Sequence, residues 1–309
     1  MALFPDSVKK VLVTGGAGFI GGAVIRRLLK NTSLQIYNLD KMGYASDLTS
    51  IDQVIKLMGI DGYGRHELIK VNLVDAKATG IAVAKADPDL VIHLAAESHV
   101  DRSISTPLQF IESNIIGTFN ILQSLAKHWE KLPIDRRKRF RMIHISTDEV
   151  FGSLPPQGQF SECSPYDPRS PYSASKAASD HLVKSWFHTF GFPVITTNCS
   201  NNYGPWQFPE KLIPMVIMKA IKNKEIPIYG DGQNIRDWLF VEDHVDALLA
   251  VSAEGEIGRS YCIGGINEIS NKKVVELICS ILDEQRPKPS PYSRLIQFVP
   301  DRPGHDRRY

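Results

Sequence analysis

The chain has 309 residues, 43% of them hydrophobic and 23% charged, with a formal net charge of +2. This is the balance of a globular protein with a large core, in one large or two modest domains. It argues against a disulfide scaffold, a membrane span and a nucleic-acid-binding surface: the four cysteines lack C-x-x-C spacing, no apolar run is long enough to span, and basic residues cluster only at 136–139 and 302–308.

Residues 10–21 read as a short buried strand, a glycine turn and the start of a helix. Gly15, Gly18 and Gly21 are spaced G-x-x-G-x-x-G, and Ile20, Ala23, Val24, Leu28 and Leu29 form one apolar stripe. That order opens a dinucleotide-binding βαβ unit. The glycines admit a pyrophosphate to backbone N–H groups, and the helix N-terminus adds partial positive charge. The alternative is a tight strand–helix turn with no ligand. A second strand at 34–39 ends in Asp40, at the distance where a carboxylate bonds a ribose 2′-OH and repels a 2′-phosphate. Asp40 therefore favours NAD over NADP; the alternative is an ordinary turn residue at a strand end.

Residues 41–66 read as irregular, with a short helix at 48–58 and a glycine-rich loop at 59–64. Strands are expected at 68–71 and 89–96, and helices at 76–86 and 110–129. The 89–96 strand runs into small residues, which let a cofactor lie close to the backbone. His93 reads as core and His99 as a local partner of Glu97. The basic run at 136–139 reads as a solvated loop. A strand at 141–145 leads into Ser146, Thr147, Asp148 and Glu149, and ligands of open α/β sheets bind at such C-terminal strand ends.

Tyr172 and Lys176 lie one turn apart on a helix expected at 171–190. A lysine ammonium beside a phenol favours the phenolate, and a nicotinamide's charge acts in the same sense. The pair could take a proton from a sugar hydroxyl, although the spacing alone is common by chance. A strand at 194–197 follows, then proline-punctuated loops after 203 and a helix at 212–222. The fold class is α/β: a Rossmann-type doubly wound parallel sheet with a smaller C-terminal α/β substrate domain. The NAD-binding domain is expected at 1–200 and the second, partly interleaved with it, at 201–309. The cysteines offer no zinc spacing, so no metal is expected, and the N-terminal residues lack the pattern of a secretory leader, which points to the cytoplasm.

The glycine turn, Asp40, the Leu94-Ala95-Ala96 run and Tyr172-x-x-x-Lys176 together resemble the extended short-chain dehydrogenase/reductase family. Strings at 95–103, 146–152, 201–205, 208–214 and 301–306 resemble, within it, the nucleotide-sugar 4,6-dehydratases that act on dTDP-glucose. The resemblance implies NAD contacts from Phe19 and Ile20 beside the glycines, from Lys41 and Gly43 after Asp40, and from Asn72 and Leu73 near the adenine. Asn72 stands where the family has an Asp, and its amide can still hydrogen-bond. Leu94, Ala95, Ala96, Ser98, Ser113 and Asn202 join the same set, with Tyr172 and Lys176.

For the sugar nucleotide the resemblance assigns Ser98, Thr147, Asn201, Lys211, Leu212 and Pro227. It adds Tyr229, Arg236, Asn271, Arg302 and His305. Arg236 suits a diphosphate through its planar fork of donors, the alternative being an ion pair with Asp231 or Asp237. The implied chemistry has Tyr172 deprotonate the 4-OH beside Thr147, with Lys176 holding the nicotinamide ribose. Glu149 is then the base at C5, and Asp148, kept protonated, is the acid on the C6 hydroxyl. Rivals are a dehydratase of another nucleotide sugar, a 4-epimerase, or a non-catalytic NAD-binding regulator; the adjacent Asp148 and Glu149 favour dehydration. The resemblance also implies a homodimer through a four-helix bundle, with Ala177, Ala178 and Leu182 at its interface. Members of the family continue beyond the motif that holds Arg302 and His305, so the second domain reads as cut short or disordered after that motif, which leaves the activity of this stretch an open question.

Overall fold

Runs of buried Val, Leu and Ile set the central strands, and glycine, proline and Asp set their ends. The computed structural model describes residue 4 and residues 7–309. In chain order its strands are β1 (Lys10–Thr14), β2 (Gln35–Asp40), β3 (His66–Lys70), β4 (Leu90–His93), β5 (Arg141–Thr147) and β6 (Val194–Cys199). The second half adds β7 (Asn201–Tyr203), β8 (Ile226–Tyr229), β9 (Ile235–Phe240), β10 (Ser260–Ile263), β11 (Glu268–Ser270) and β12 (Ile296–Val299).

Seven strands form one sheet in the order β10-β6-β5-β4-β1-β2-β3, and every pairing in it is parallel. Strand order reverses between β1 and β4, which opens a crevice beyond their C-terminal ends. β10, late in the chain, completes this sheet, so the second half of the sequence returns to the first. The other strands make a three-stranded sheet, β11-β9-β7, and a pair, β12-β8.

Helices cover both faces. On one, Val24, Ile25 and Leu28 of the Phe19–Asn31 helix pack with Val245, Leu248 and Leu249 of the Val241–Glu254 helix. On the other, Val83, Ile121, Leu122, Leu125 and Val183 form a second cluster. Each such side chain contributes about 1.5–3 kcal/mol by leaving water. A smaller core around Val216, Ile228, Val275 and Tyr292 holds the C-terminal elements. Among the described residues no helix is long and apolar enough to cross a membrane.

Several elements differ from expectation. Residues 59–64 are no loop: Ile60–Arg65 is a short helix turned back on Thr49–Met58. Gly62 permits this, since a Cβ there would meet the Ile55 carbonyl oxygen at 2.7 Å. The 136–139 run lies on the Ile134–Arg139 helix, where Arg136 grips Asp87 and Asp89. The helix expected at 110–129 starts earlier, at Pro107, and passes through a π-helical segment, Ile111–Ile116, before Gly117–Lys131. His93 is buried as expected, between the Thr14 and Thr118 hydroxyls. His99 bonds differently: its Nδ1 accepts from the Arg102 N–H and caps a short helix, while Glu97 pairs with Lys41.

Candidate active site

A cavity of about 370 Å³ opens beyond the C-terminal ends of the parallel strands. The residues just after β1, β2, β3, β4, β5 and β6 all line it, the outcome expected of a sheet whose order reverses at its centre. Every residue assigned to NAD by sequence lies on this wall. All five candidates for catalysis lie there too, as do Ser98, Asn201, Lys211 and Leu212.

The dinucleotide end is built from backbone. Gly15 has φ +70°, and a Cβ there would meet the Ala95 nitrogen at 2.7 Å. At Gly21 a Cβ would run into the Gly15 carbonyl oxygen. The Phe19–Asn31 helix starts without a side-chain cap or a first-turn carboxylate, so its first N–H groups are open to an anion. Asp40 is held rigid by the Ala17 N–H on Oδ2 at 3.0 Å and the Met42 N–H on Oδ1 at 2.8 Å. The Ser46 hydroxyl adds a third bond, on Oδ1 at 2.9 Å. A carboxylate accepts about four bonds, so one position is left for a ribose hydroxyl. Asn72 uses its Oδ1 to accept from the Val74 N–H, which leaves its amide NH₂ for a base. These residues fit a dinucleotide with a free 2′-OH.

The chemical end lies where β5 stops. Thr147 is its last residue, and Asp148 and Glu149 follow in a tight turn. Opposite, the Pro171–Phe190 helix is started by Ser170 and Ser173, whose side chains each bond the other's backbone N–H. That fixes Tyr172 in the first turn and Lys176 one turn on, both buried. The Lys176 ammonium donates to the Ile145 carbonyl oxygen at 2.8 Å.

Burial first, and the charge of Glu149 second, push the Asp148 carboxyl well above the usual carboxylate range. Glu149 is also raised by burial, but Arg236, Arg302, Lys211 and a bond from the Tyr309 hydroxyl work against the rise. The two neighbours differ in their surroundings, Asp148 being buried and Glu149 half-buried. Tyr172 departs from the sequence expectation. Burial, then the charge of Glu149, raise its phenol well above its ordinary value, and the Thr147 hydroxyl opposes this. The protein's own groups do not lower it.

The remaining substrate candidates stand off this wall. Arg236 is buried and donates to the carbonyl oxygens of Ile235 and Asp306 rather than pairing with Asp231 or Asp237. Its guanidinium lies 4.0 Å from the Tyr309 ring centre. Arg302 donates to Asp101 Oδ1 at 3.1 Å, and the Tyr229 hydroxyl donates to Asp101 Oδ2 at 3.1 Å. His305 Nδ1 bonds Asp301 at 2.6 Å and sits edge-on to Tyr229. Pro227 lies on β8, and Asn271 opens the Asn271–Gln285 helix.

Sequence reasoning passed over Asn114, which falls within the helix expected at 110–129. It lies in the π-helical segment, donates to the Glu97 carbonyl oxygen and the Ser175 hydroxyl, and accepts from the Glu97 N–H. An amide inside an apolar stripe was the available signal. It also missed Tyr44, which lines the cavity with Glu210, donates its hydroxyl to Glu210 Oε1 at 2.8 Å and carries the Arg102 guanidinium 3.7 Å from its ring centre.

The family described as GDP-mannose 4,6 dehydratase matches residues 12–309. The chain is 51% identical over 307 residues to a dTDP-glucose 4,6-dehydratase of Neisseria meningitidis serogroup B, covering 98% of this chain and 85% of that one. It is 51% identical to dTDP-glucose 4,6-dehydratase 1 of Escherichia coli K12, covering 97% and 84%. The dTDP-glucose 4,6-dehydratase of Streptomyces venezuelae, solved with NAD bound, superposes with a TM-score of 0.85 at 36% identity, over 97% of this chain and 87% of that one. With the glycine turn, Asp40, the Asp148–Glu149 pair and the Tyr172–Lys176 helix at one cavity, the chain belongs to the dTDP-glucose 4,6-dehydratase family of extended short-chain dehydrogenases/reductases.

Proposed function

We propose that this protein is a hydro-lyase that converts dTDP-glucose to dTDP-4-keto-6-deoxyglucose and water, holding NAD throughout. The observation that carries this reading is the pair at the end of β5, Asp148 buried and Glu149 half-buried, lining one cavity with Thr147, Tyr172 and Lys176. Elimination of water needs an acid and a base on neighbouring carbons, and two adjacent carboxyls in different surroundings supply both. A 4-epimerase has no departing C6 hydroxyl and no use for the acid. Bound NAD would supply the hydride acceptor at C4 and the hydride donor at C6.

The chain's residues supply the rest. Gly15 to Gly21 would hold the pyrophosphate and Asp40 the adenosine ribose. Lys176 would hold the nicotinamide ribose, and the positive charge of a bound nicotinamide would oppose the rise that burial gives the Tyr172 phenol. Tyr172 takes the 4-OH proton while Thr147 bonds the same oxygen. The C4 ketone acidifies C5–H, and Glu149 takes that proton. Asp148 gives its proton to the C6 hydroxyl, which leaves as water. Glu149 then returns a proton to C5 as C6 is reduced, so the cofactor ends as it began. Lys211, Arg236 and Arg302 gather positive charge at the end that would take the diphosphate.

The chain divides, in this reading, into an NAD-binding part at 1–200 and a sugar-nucleotide part at 201–309 that lends β10 to the first. It works as a homodimer. Leu108, Ile111, Ile116 and Phe119 are exposed along the face leading into the Gly117–Lys131 helix, an apolar strip suited to a second copy. Ala178 and Leu182 remain partly open to such a partner, whereas Ala177 packs inside the chain on Val150 and Phe151. The test is incubation of the protein with dTDP-glucose and NAD. A 4-keto-6-deoxy product supports the reading, and an epimerised sugar nucleotide or no reaction overturns it.

A further inference from the structure

Asp180 is fully buried and touches no wall of the cavity, yet it is the most heavily bonded carboxylate near it. His144 Nε2 lies 2.9 Å from Oδ1, and the Ser146 hydroxyl donates to Oδ2 at 2.7 Å. The Tyr166 hydroxyl donates to Oδ2 at 2.9 Å and Asn198 Nδ2 at 3.4 Å. Donors from β5, from β6 and from the loop before the Pro171–Phe190 helix thus meet on one side chain of that helix. His144 and Ser146 alternate along β5 and face the same side. Between them is Ile145, whose carbonyl oxygen receives the Lys176 ammonium. Asn198 also donates to the Thr147 carbonyl oxygen at 3.1 Å. Asp180 lies one turn beyond Lys176 and two beyond Tyr172, on the same helical face.

We propose that Asp180 is a positioning residue for the reaction: it ties the end of β5 to the catalytic helix and supplies the buried negative charge that keeps Lys176 an ammonium. This rests on the function proposed above and adds to it a residue that never touches the sugar or NAD. An isolated ammonium in a buried site loses its proton readily, and a nearby carboxylate reverses that tendency. The groups facing Lys176 are Asp180 on its own helix, Cys199 on β6, and His144 and His93 on β5 and β4, whose proton affinity burial lowers. Asp180 faces His144, Lys176, Ser146 and Tyr166, and it is the one buried carboxylate of the set whose proton affinity is lowered. With four donors its charge is satisfied in place.

The test compares wild type with Asp180→Asn, each as the full chain with NAD and dTDP-glucose. Removing the negative charge weakens the ammonium, so activity at high pH should fail sooner. The account expects the alkaline limb of the kcat–pH profile to move down by about one unit or more, with kcat at neutral pH falling about 10- to 100-fold. NAD affinity, read by tryptophan fluorescence without sugar, should weaken about tenfold as Lys176 loses its place. A lowered kcat with an unmoved alkaline limb and unchanged NAD affinity would show a merely structural role and overturn the proposal. If Asp180→Asn does not fold, Ser146→Ala and Tyr166→Phe each remove one donor. A three- to tenfold fall in kcat at constant KM is expected in both, and unchanged kcat in both overturns it. Wild type unable to dehydrate dTDP-glucose fails the functional reading, whereas an active wild type with unaffected variants fails this inference alone.

Discussion

Glu149→Gln separates binding from chemistry. The amide keeps the shape of the side chain and cannot take a proton from C5. NAD affinity should change less than about twofold while dehydration falls about 10²- to 10⁴-fold. Titration calorimetry with NAD and C5–H exchange in deuterated water check the two halves. Asp148→Asn tests the other member through stability. Its carboxyl is raised in the folded protein by burial and by Glu149. Below the unfolded-state value both states are protonated and the group costs nothing. Above it the unfolded chain ionises more readily, so the folded state carries a penalty that grows toward neutral pH. Asp148→Asn should therefore melt higher than wild type at neutral pH, with the gain shrinking on acidification, although activity is lost. Calorimetric melts at several pH values decide it. At this scale the residues assigned to NAD and to catalysis, all of which line the cavity, were legible in the sequence, because short motifs carry them. The supporting residues were not. Asn114 and Asp180 sit inside helical stripes that periodicity reads as core, and their partners come from strands far away in sequence.

Elements place these side chains, and two changes test them. Ser170→Ala removes half of the reciprocal cap that starts the catalytic helix. It should cost about 1 kcal/mol and lower the melting temperature without changing product. Gly21→Ala puts a Cβ into the Gly15 carbonyl oxygen. NAD affinity should be lost with the fold retained, measured by calorimetry and circular dichroism. The parallel strands and long helices were legible because their apolar residues keep one period throughout. The Ile60–Arg65 helix was not, since its glycines read as a loop while Gly62 is used for close packing. Neither was the π-helical segment, whose extra residue per turn leaves no mark on the apolar pattern.

At the scale of the whole molecule, the crevice exists because strand order reverses at β1 and β4, and because β10 returns from late in the chain to cover β6. That return joins distant segments that no local pattern in the sequence links. The exposed strip from Leu108 to Phe119 should make the protein a dimer by light scattering, and Leu108→Asp with Ile111→Asp should make it a folded monomer. The central claim is that hydride leaves C4 and returns to C6 of the same sugar. It is tested most directly with dTDP-glucose carrying deuterium at C4, reading the product by mass spectrometry and NMR. The account predicts a dehydrated product with deuterium at C6 and no net reduction of NAD. Deuterium still at C4 in an epimerised sugar, or lost to the cofactor, would contradict it.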